Sequence, residues 1–182
     1  MKKVYVFMAD GLEEVEFLNP VDLLRRGGTD VRTVSISGRE YVTGSHQVIL
    51  KADLLFEGTD FSDADALVLP GGGLGTKNLE NYAPLGELLE KAAGEGKLLC
   101  AICAAPRVLG KLGLLKGHRA TCYPGNEVFL TGAETTGEKV VRSGHFITSR
   151  GMGTATLFGL EILQELEGKE TAEKVRKSIV FD

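Results

Sequence analysis

The strongest constraint on this chain is the regular alternation of two kinds of segment. Short apolar, β-rich runs lie at Lys3–Ala9, Asp30–Ser37, Ala64–Leu69 and Lys97–Ile102. Between and after them, helical periodicity spans Glu13–Arg26, Pro84–Gly94, Ala104–Leu112 and Gly153–Leu166, with a shorter helix at Glu170–Lys177. Lys97–Ile102 is apolar at every position after the lysine, as a strand buried on both faces must be. Tyr41–Leu50 reads as a short hairpin-like excursion, and Arg119–Cys122, Lys139–Arg142 and His145–Thr148 as short strands. No internal repeat or linker interrupts the pattern. It predicts one α/β domain over residues 1–182, with a mostly parallel central sheet covered by helices on both faces. In such sheets ligands bind beyond the carboxyl ends of the strands. Three loops are then candidates for a site: Asp10–Glu16, Gly71–Thr76 and Cys103–Pro106.

Two details of the first helix are left open. Pro20 either starts it, with Asn19 as N-cap, or sits inside it as a kink. The stripe Val15, Leu18, Val21 and Leu24 faces either the core or a partner.

Composition narrows the functional classes. Hydrophobic residues are 43% and charged residues 25% of 182, ordinary for a folded globular chain. With 21 basic against 25 acidic residues and no basic run, nucleic acid and anionic membrane are not expected as partners. No apolar stretch approaches the ~20 residues of a membrane span. The apolar start runs straight into Asp10, Glu13 and Glu14, so it reads as a first strand of a cytoplasmic protein rather than a signal peptide.

Cys103 is the sharpest candidate residue. It lies between a strand and a helix, in Ala101-Ile102-Cys103-Ala104-Ala105-Pro106, with small residues two before and two after. A nucleophile elbow has this form. The turn would lift the side chain out of the sheet plane, the following helix N-terminus would lower the thiol pKa, and the Ala104 N–H would face an oxyanion. The alternative is a buried core cysteine. Cys100 completes a C-x-x-C, but it lies inside the strand and points away from the loop, unlike a thioredoxin pair. No second ligand pair has the spacing of a structural zinc site. Cys122 reads as a core residue. Gly71-Gly72-Gly73-Leu74-Gly75-Thr76 lacks the Gly-Lys-Ser/Thr ending of a P-loop and reads as a backbone nest or a plain turn. Of Glu13, Glu14 and Glu16, one is expected to turn toward the Cys103 loop, on the premise that the two loops top adjacent strands. Such a pair would titrate together. None of His46, His118 and His145 flanks Cys103 in sequence.

Four motifs occur together: Gly11-x-Glu13-Glu14-x-Glu16, Leu69-Pro70-Gly71-Gly72, the Cys103 segment, and Ser149-Arg150-Gly151-x-Gly153-Thr154. In order and spacing they resemble the DJ-one branch of the ThiJ/PfpI superfamily, from about residue 3 to residue 180. The resemblance implies a three-layer flavodoxin-like sandwich with a nucleophile elbow, and a homodimer. It implies that Cys103 is the reactive cysteine, Glu16 its partner, and Gly72 and Ala104 the backbone donors of an oxyanion pocket. Gly73, Tyr123, His46 and Arg150 are further pocket candidates.

The implied activity is a glyoxalase or deglycase acting on methylglyoxal or its adducts, with no metal or organic cofactor. The alternative is a redox-sensing, chaperone-like protein with an oxidisable cysteine. Peptidase and amidotransferase-like hydrolase readings are weaker. Peptidase-type relatives carry histidine where this chain has Ala104. Tyr123 stands where human-type members have a histidine before proline, and a tyrosine is a poor base at neutral pH. His46 stands where the family often has arginine, within reach of the site from a partner subunit.

Overall fold

The structure is a computed structural model and describes residues 1–182. In chain order the elements are β1 (Lys3–Met8), α1 (Glu14–Arg26), β2 (Asp30–Ser35), β3 (Tyr41–Thr43), β4 (Ile49–Lys51), β5 (Leu54–Leu55), β6 (Ala66–Leu69), α2 (Gly73–Asn81), α3 (Ala83–Gly94), β7 (Leu98–Ile102), α4 (Pro106–Lys111), β8 (Arg119–Ala120), β9 (Glu134–Thr135), β10 (Val140–Ser143), β11 (Phe146–Ser149), α5 (Ala155–Glu167) and α6 (Lys169–Ser178). Single 3-10 turns lie at Glu127–Phe129 and Met152–Thr154.

Seven strands form one sheet in the order β10-β11-β7-β6-β1-β2-β5. Every pairing is parallel except β10 with β11. The central strands β6 and β7 are buried at every residue, as parallel strands covered on both faces require. One core packs Val4, Val6 and Met8 of β1 against α1 and α5. The other packs Tyr5 and Phe7 against Leu79, Leu85, Leu89 and Leu109 of α2, α3 and α4. Alternate β1 side chains thus feed opposite cores, and the architecture is the expected three-layer α/β sandwich. No helix is long and apolar enough to cross a membrane.

Helix α1 positions the site. The Glu13 carboxylate accepts the Glu16 N–H at 2.7 Å and caps the helix. Glu14 and Glu16 lie in the first turn and Arg25 and Arg26 in the last, each complementing the helix dipole. Pro20 lies inside the helix, which settles its place. Having no N–H, it leaves the Glu16 carbonyl four residues back without its helical partner. The core-facing side chains are Phe17, Val21, Leu23 and Leu24, whereas Val15 and Leu18 are 42% and 45% exposed. The stripe read from sequence therefore splits: its second half faces the core and its first half faces outward. Close packing of α1 on α5 depends on Gly159, where a Cβ would come within 2.7 Å of Leu23 Cδ1.

Several boundaries differ from expectation. The hairpin at Tyr41–Leu50 forms as β3 and β4, paired antiparallel. Helix α4 starts at Pro106, two residues later than expected, and is only 6 residues long. Helix α2 begins inside the glycine run, at Gly73. The strands β5 and β9 have 2 residues each, too short to leave a period in the sequence.

Candidate active site around Cys103 and Glu16

The parallel pairing puts the carboxyl ends of β1, β6, β7 and β11 along one edge, and the loops that follow them meet there. Cys103 directly follows β7 with φ +65°, a left-handed conformation that few non-glycine residues adopt. Such a residue costs of order 1–3 kcal/mol unless its surroundings hold it. Here its N–H donates to the Ser149 carbonyl at 2.9 Å, and its carbonyl accepts the Tyr123 N–H at 2.8 Å. Both sides of the elbow are therefore tied down, and the side chain stands half-buried above the sheet edge.

Glu16 arrives from α1 and is 1% exposed. Its Oε2 accepts the Gly71 N–H at 3.1 Å, and its carboxyl lies beside the Cys103 side chain across Gly71. The expectation that the two loops top adjacent strands is corrected: β6 lies between β1 and β7. Glu16 reaches Cys103 by crossing the end of β6, at Gly71. That crossing explains the glycine. A Cβ on Gly71 would run into Glu16 Oε2 and lie 2.6 Å from Cys103 Cβ. Gly72 has φ +92°, and a Cβ there would lie 2.6 Å from the Glu13 nitrogen.

Burial pushes the Glu16 carboxyl up to about 7; the Cys103 hydrogen bond opposes this, the Glu13 charge adds to it, and the Gly71 and Met152 N–H groups pull it back. Burial also pushes the Cys103 thiol up to about 12, reinforced by the charge and hydrogen bond of Glu16. The N–H groups of Gly72 and Ala104 act the other way, because both donate toward the sulfur. The expected lowering of the thiol pKa by a helix N-terminus is thus corrected. Helix α4 is short and starts beyond Ala104, so local N–H groups alone oppose burial and a neighbouring carboxylate.

The other candidates separate. Tyr123 is 53% exposed, and its ring edge lies beside Gly151 at the mouth of the site. Gly73 opens α2 and is exposed, one residue beyond the Gly72 donor. His46 is instead paired with Glu14, Nδ1 to Oε2 at 2.8 Å. Burial pushes Glu14 up, but the hydrogen bonds from His46 and Ser45 outweigh it and hold Glu14 at about 2. Within one chain, then, His46 serves Glu14 and not Cys103. Arg150 follows β11, and its Nη1 donates to the Gly137 carbonyl at 3.1 Å. His118 and His145 pack on Phe146, at the opposite end of β11 from the site. Cys100 is fully buried within β7, and burial raises its thiol far above the usual range. Cys122 is buried in the second core.

The sequence motifs contain Gly71 and Gly151 without giving either a role at Glu16, and Met152, whose N–H also acts on Glu16, is not singled out. The signal for the last two exists. His145–Thr148 reads as a strand, and the rule that sites lie beyond strand ends applies to Arg150–Gly153 as well.

Comparison with known proteins agrees with this geometry. The model of the DJ-1/PfpI family matches residues 2–165. DJ-1beta of Drosophila melanogaster is 38% identical over 181 residues, which cover 98% of this chain and 97% of that protein. Its crystal structure has a TM-score of 0.96 at 37% identity, covering 100% of this chain and 98% of that one. DJ-1 homolog B of Arabidopsis thaliana is 38% identical over 99% of this chain, but the chain spans only 42% of that protein's length. A protein of Pyrococcus abyssi named a deglycase is 34% identical over 150 residues, 81% of this chain and 89% of that one. A cysteine elbow answered by a buried glutamate, on a sandwich that superposes on DJ-1beta over its whole length, goes with a family match over most of the sequence: the chain belongs to the DJ-1/PfpI family.

Proposed function

We propose that the chain is a cofactor-free glyoxalase or deglycase that acts on methylglyoxal or its adducts through Cys103 and Glu16. The observation that carries this reading is the buried Glu16 carboxyl set beside Cys103 across Gly71, where burial pushes it up to about 7. A general acid–base is most effective when its pKa lies near the working pH. Above that value Glu16 is a buried carboxylate able to take the thiol proton as sulfur attacks.

The sulfur adds to the aldehyde carbon of the α-oxoaldehyde. The C–S bond forms, the C=O π bond breaks, and the thiol proton passes through Glu16 to the new oxygen, giving a hemithioacetal. Glu16 next removes the proton from that carbon while the neighbouring ketone oxygen takes up the hydroxyl proton, giving an enediol, and then returns a proton to the neighbouring carbon as the C1 carbonyl re-forms, giving a thioester. Water hydrolyses the thioester, releasing lactate and regenerating the thiol. No electrons leave or enter. The Gly72 and Ala104 N–H groups stabilise the negative oxygen in the addition and hydrolysis steps, a contribution of about 3–4 kcal/mol for one such donor. The deglycase name of the archaeal relative supports the same chemistry on aldehyde adducts. Lactate formation from methylglyoxal without glutathione tests the reading. Cys103→Ala abolishes it on this account, and an unchanged rate in that variant refutes it.

The two N–H groups beside the sulfur also favour a second reading, a redox sensor. They would hold the oxygens of a sulfinate formed at Cys103. Limiting peroxide then adds about 32 Da at Cys103 alone; oxidation spread over all three thiols counts against it. A peptidase role has no support, since no histidine accompanies Cys103.

A homodimer is part of the proposal. Val15 and Leu18 of α1 and Val48 and Ile49 of the β3–β4 hairpin are apolar and 42–67% exposed. The hairpin is tied to α1 through Glu14, whose Oε1 accepts the His46 N–H at 2.6 Å, so the two exposed groups belong to neighbouring elements.

A further inference from the structure

Gly151 is a glycine that its backbone does not require. Its φ is 166° and its ψ −170°, extended values open to any residue. Its N–H donates to Thr154 Oγ1 at 3.1 Å and its carbonyl accepts the Thr154 N–H at 2.8 Å, bonds that any residue can make. What glycine leaves at this position is space. A Cβ here would lie 3.5 Å from Tyr123 Cδ2 and 3.8 Å from Glu16 Oε1, with no other atom beyond the adjoining Arg150 and Met152 within 4 Å. These are ordinary contact distances, so a methyl fits without collision and the natural residue withholds it. The result is a slot about one carbon wide. It is bordered by the edge of a half-exposed aromatic ring, by the Glu16 carboxyl beside Cys103 and by Gly151 itself. Tyr123 is anchored beside the nucleophile, because its N–H donates to the Cys103 carbonyl at 2.8 Å. Met152, the next residue, is 56% exposed and adds apolar surface at the same mouth.

Building on the α-oxoaldehyde reading above, we infer that this slot receives the carbon substituent beyond the reacting carbons, and that the site favours oxoaldehydes with an apolar or aromatic substituent over glyoxal. The chemistry of the slot supports this direction. A substrate joined to Cys103 through its aldehyde carbon presents its second carbon to Glu16. The group attached to that carbon then lies along the Tyr123 wall. A hydrogen there leaves the slot wet, whereas a methyl or phenyl group fills it and gains apolar contact. Gly151 is thus a specificity-determining residue and Tyr123 a substrate-contacting wall.

The test is the ratio of kcat/KM for phenylglyoxal to that for glyoxal, measured on the full chain. The wild type favours phenylglyoxal, and Gly151→Ala lowers the ratio by about tenfold, within the range that one methylene controls in a pocket. Tyr123→Ala, which removes the wall, lowers the same ratio and guards against a folding defect in the first variant. A ratio within twofold of wild type in both variants overturns the inference. If no α-oxoaldehyde is turned over, the glyoxalase reading fails, and the slot is read from alkylation instead. The rate of Cys103 modification by N-benzyliodoacetamide relative to iodoacetamide then falls in Gly151→Ala. An unchanged relative rate there overturns the slot itself.

Discussion

Glu16 bears the main electrostatic cost of the site. A carboxyl displaced from 4.5 to about 7 by burial disfavours its own ionisation by about 3 kcal/mol. The sign follows from proton linkage. Below about 4.5 the group is protonated in both folded and unfolded chains and costs nothing. As pH rises toward 7 the unfolded chain gives up its proton first, so stability falls until the folded carboxyl also ionises, and levels off above. Glu16→Gln removes this dependence. Urea unfolding at pH 5 and pH 8 then shows the variant gaining up to about 3 kcal/mol over wild type at the higher pH, with a much smaller difference at the lower. An equal difference at both values contradicts a raised Glu16. Glu16 and Cys103 were legible as residue types at strand ends, through their motifs. The direction of the thiol pKa was not, because it depends on burial and on a carboxylate brought in across a third strand. Gly71 and Gly151 escaped for a similar reason: a glycine's role as withheld volume shows only once its neighbours are in place.

Among the elements, α1 serves the core, the site and an outward face at once. Its period is plain in sequence, but the stripe divides, with Val21 and Leu24 buried and Val15 and Leu18 exposed. Glu14 is buried against His46 and Glu16 beside Cys103, while the apolar Val15 and Leu18 stay outside. Hydrophobicity alone assigns those positions the wrong way round. Leu24 is wholly buried, so Leu24→Ala costs about 2–5 kcal/mol in chemical denaturation. Leu18→Asp acts differently: in light scattering it shifts the assembly from twice the mass of one chain to a single chain. A wild type already of single-chain mass refutes the dimer. Helix α2 is illegible in Gly73-Leu74-Gly75 because glycine is a poor helix former. Tertiary contact decides it, since a Cβ on Gly75 would lie 2.6 Å from Leu12 Cα, a close approach that only glycine allows.

At the scale of the whole molecule, topology does the assembling. The strand order places β6 between β1 and β7, and parallel pairing aligns the ends of β1, β6, β7 and β11. Residues more than 130 apart in sequence, Glu16 and Met152, thereby share one hydrogen-bonded corner. The alternation of strands and helices made the layered α/β fold legible; the order of strands within the sheet is a long-range property that alternation leaves open. The central claim is that Glu16, held near neutrality, moves the protons for Cys103. It is tested most directly by the pH dependence of kcat/KM for methylglyoxal between pH 5 and 9. The account predicts a rate that rises about tenfold per pH unit below about 7 and levels off above it, with this limb and nearly all activity lost in Glu16→Gln. A flat profile, or a Glu16→Gln variant that keeps the wild-type rate, contradicts it.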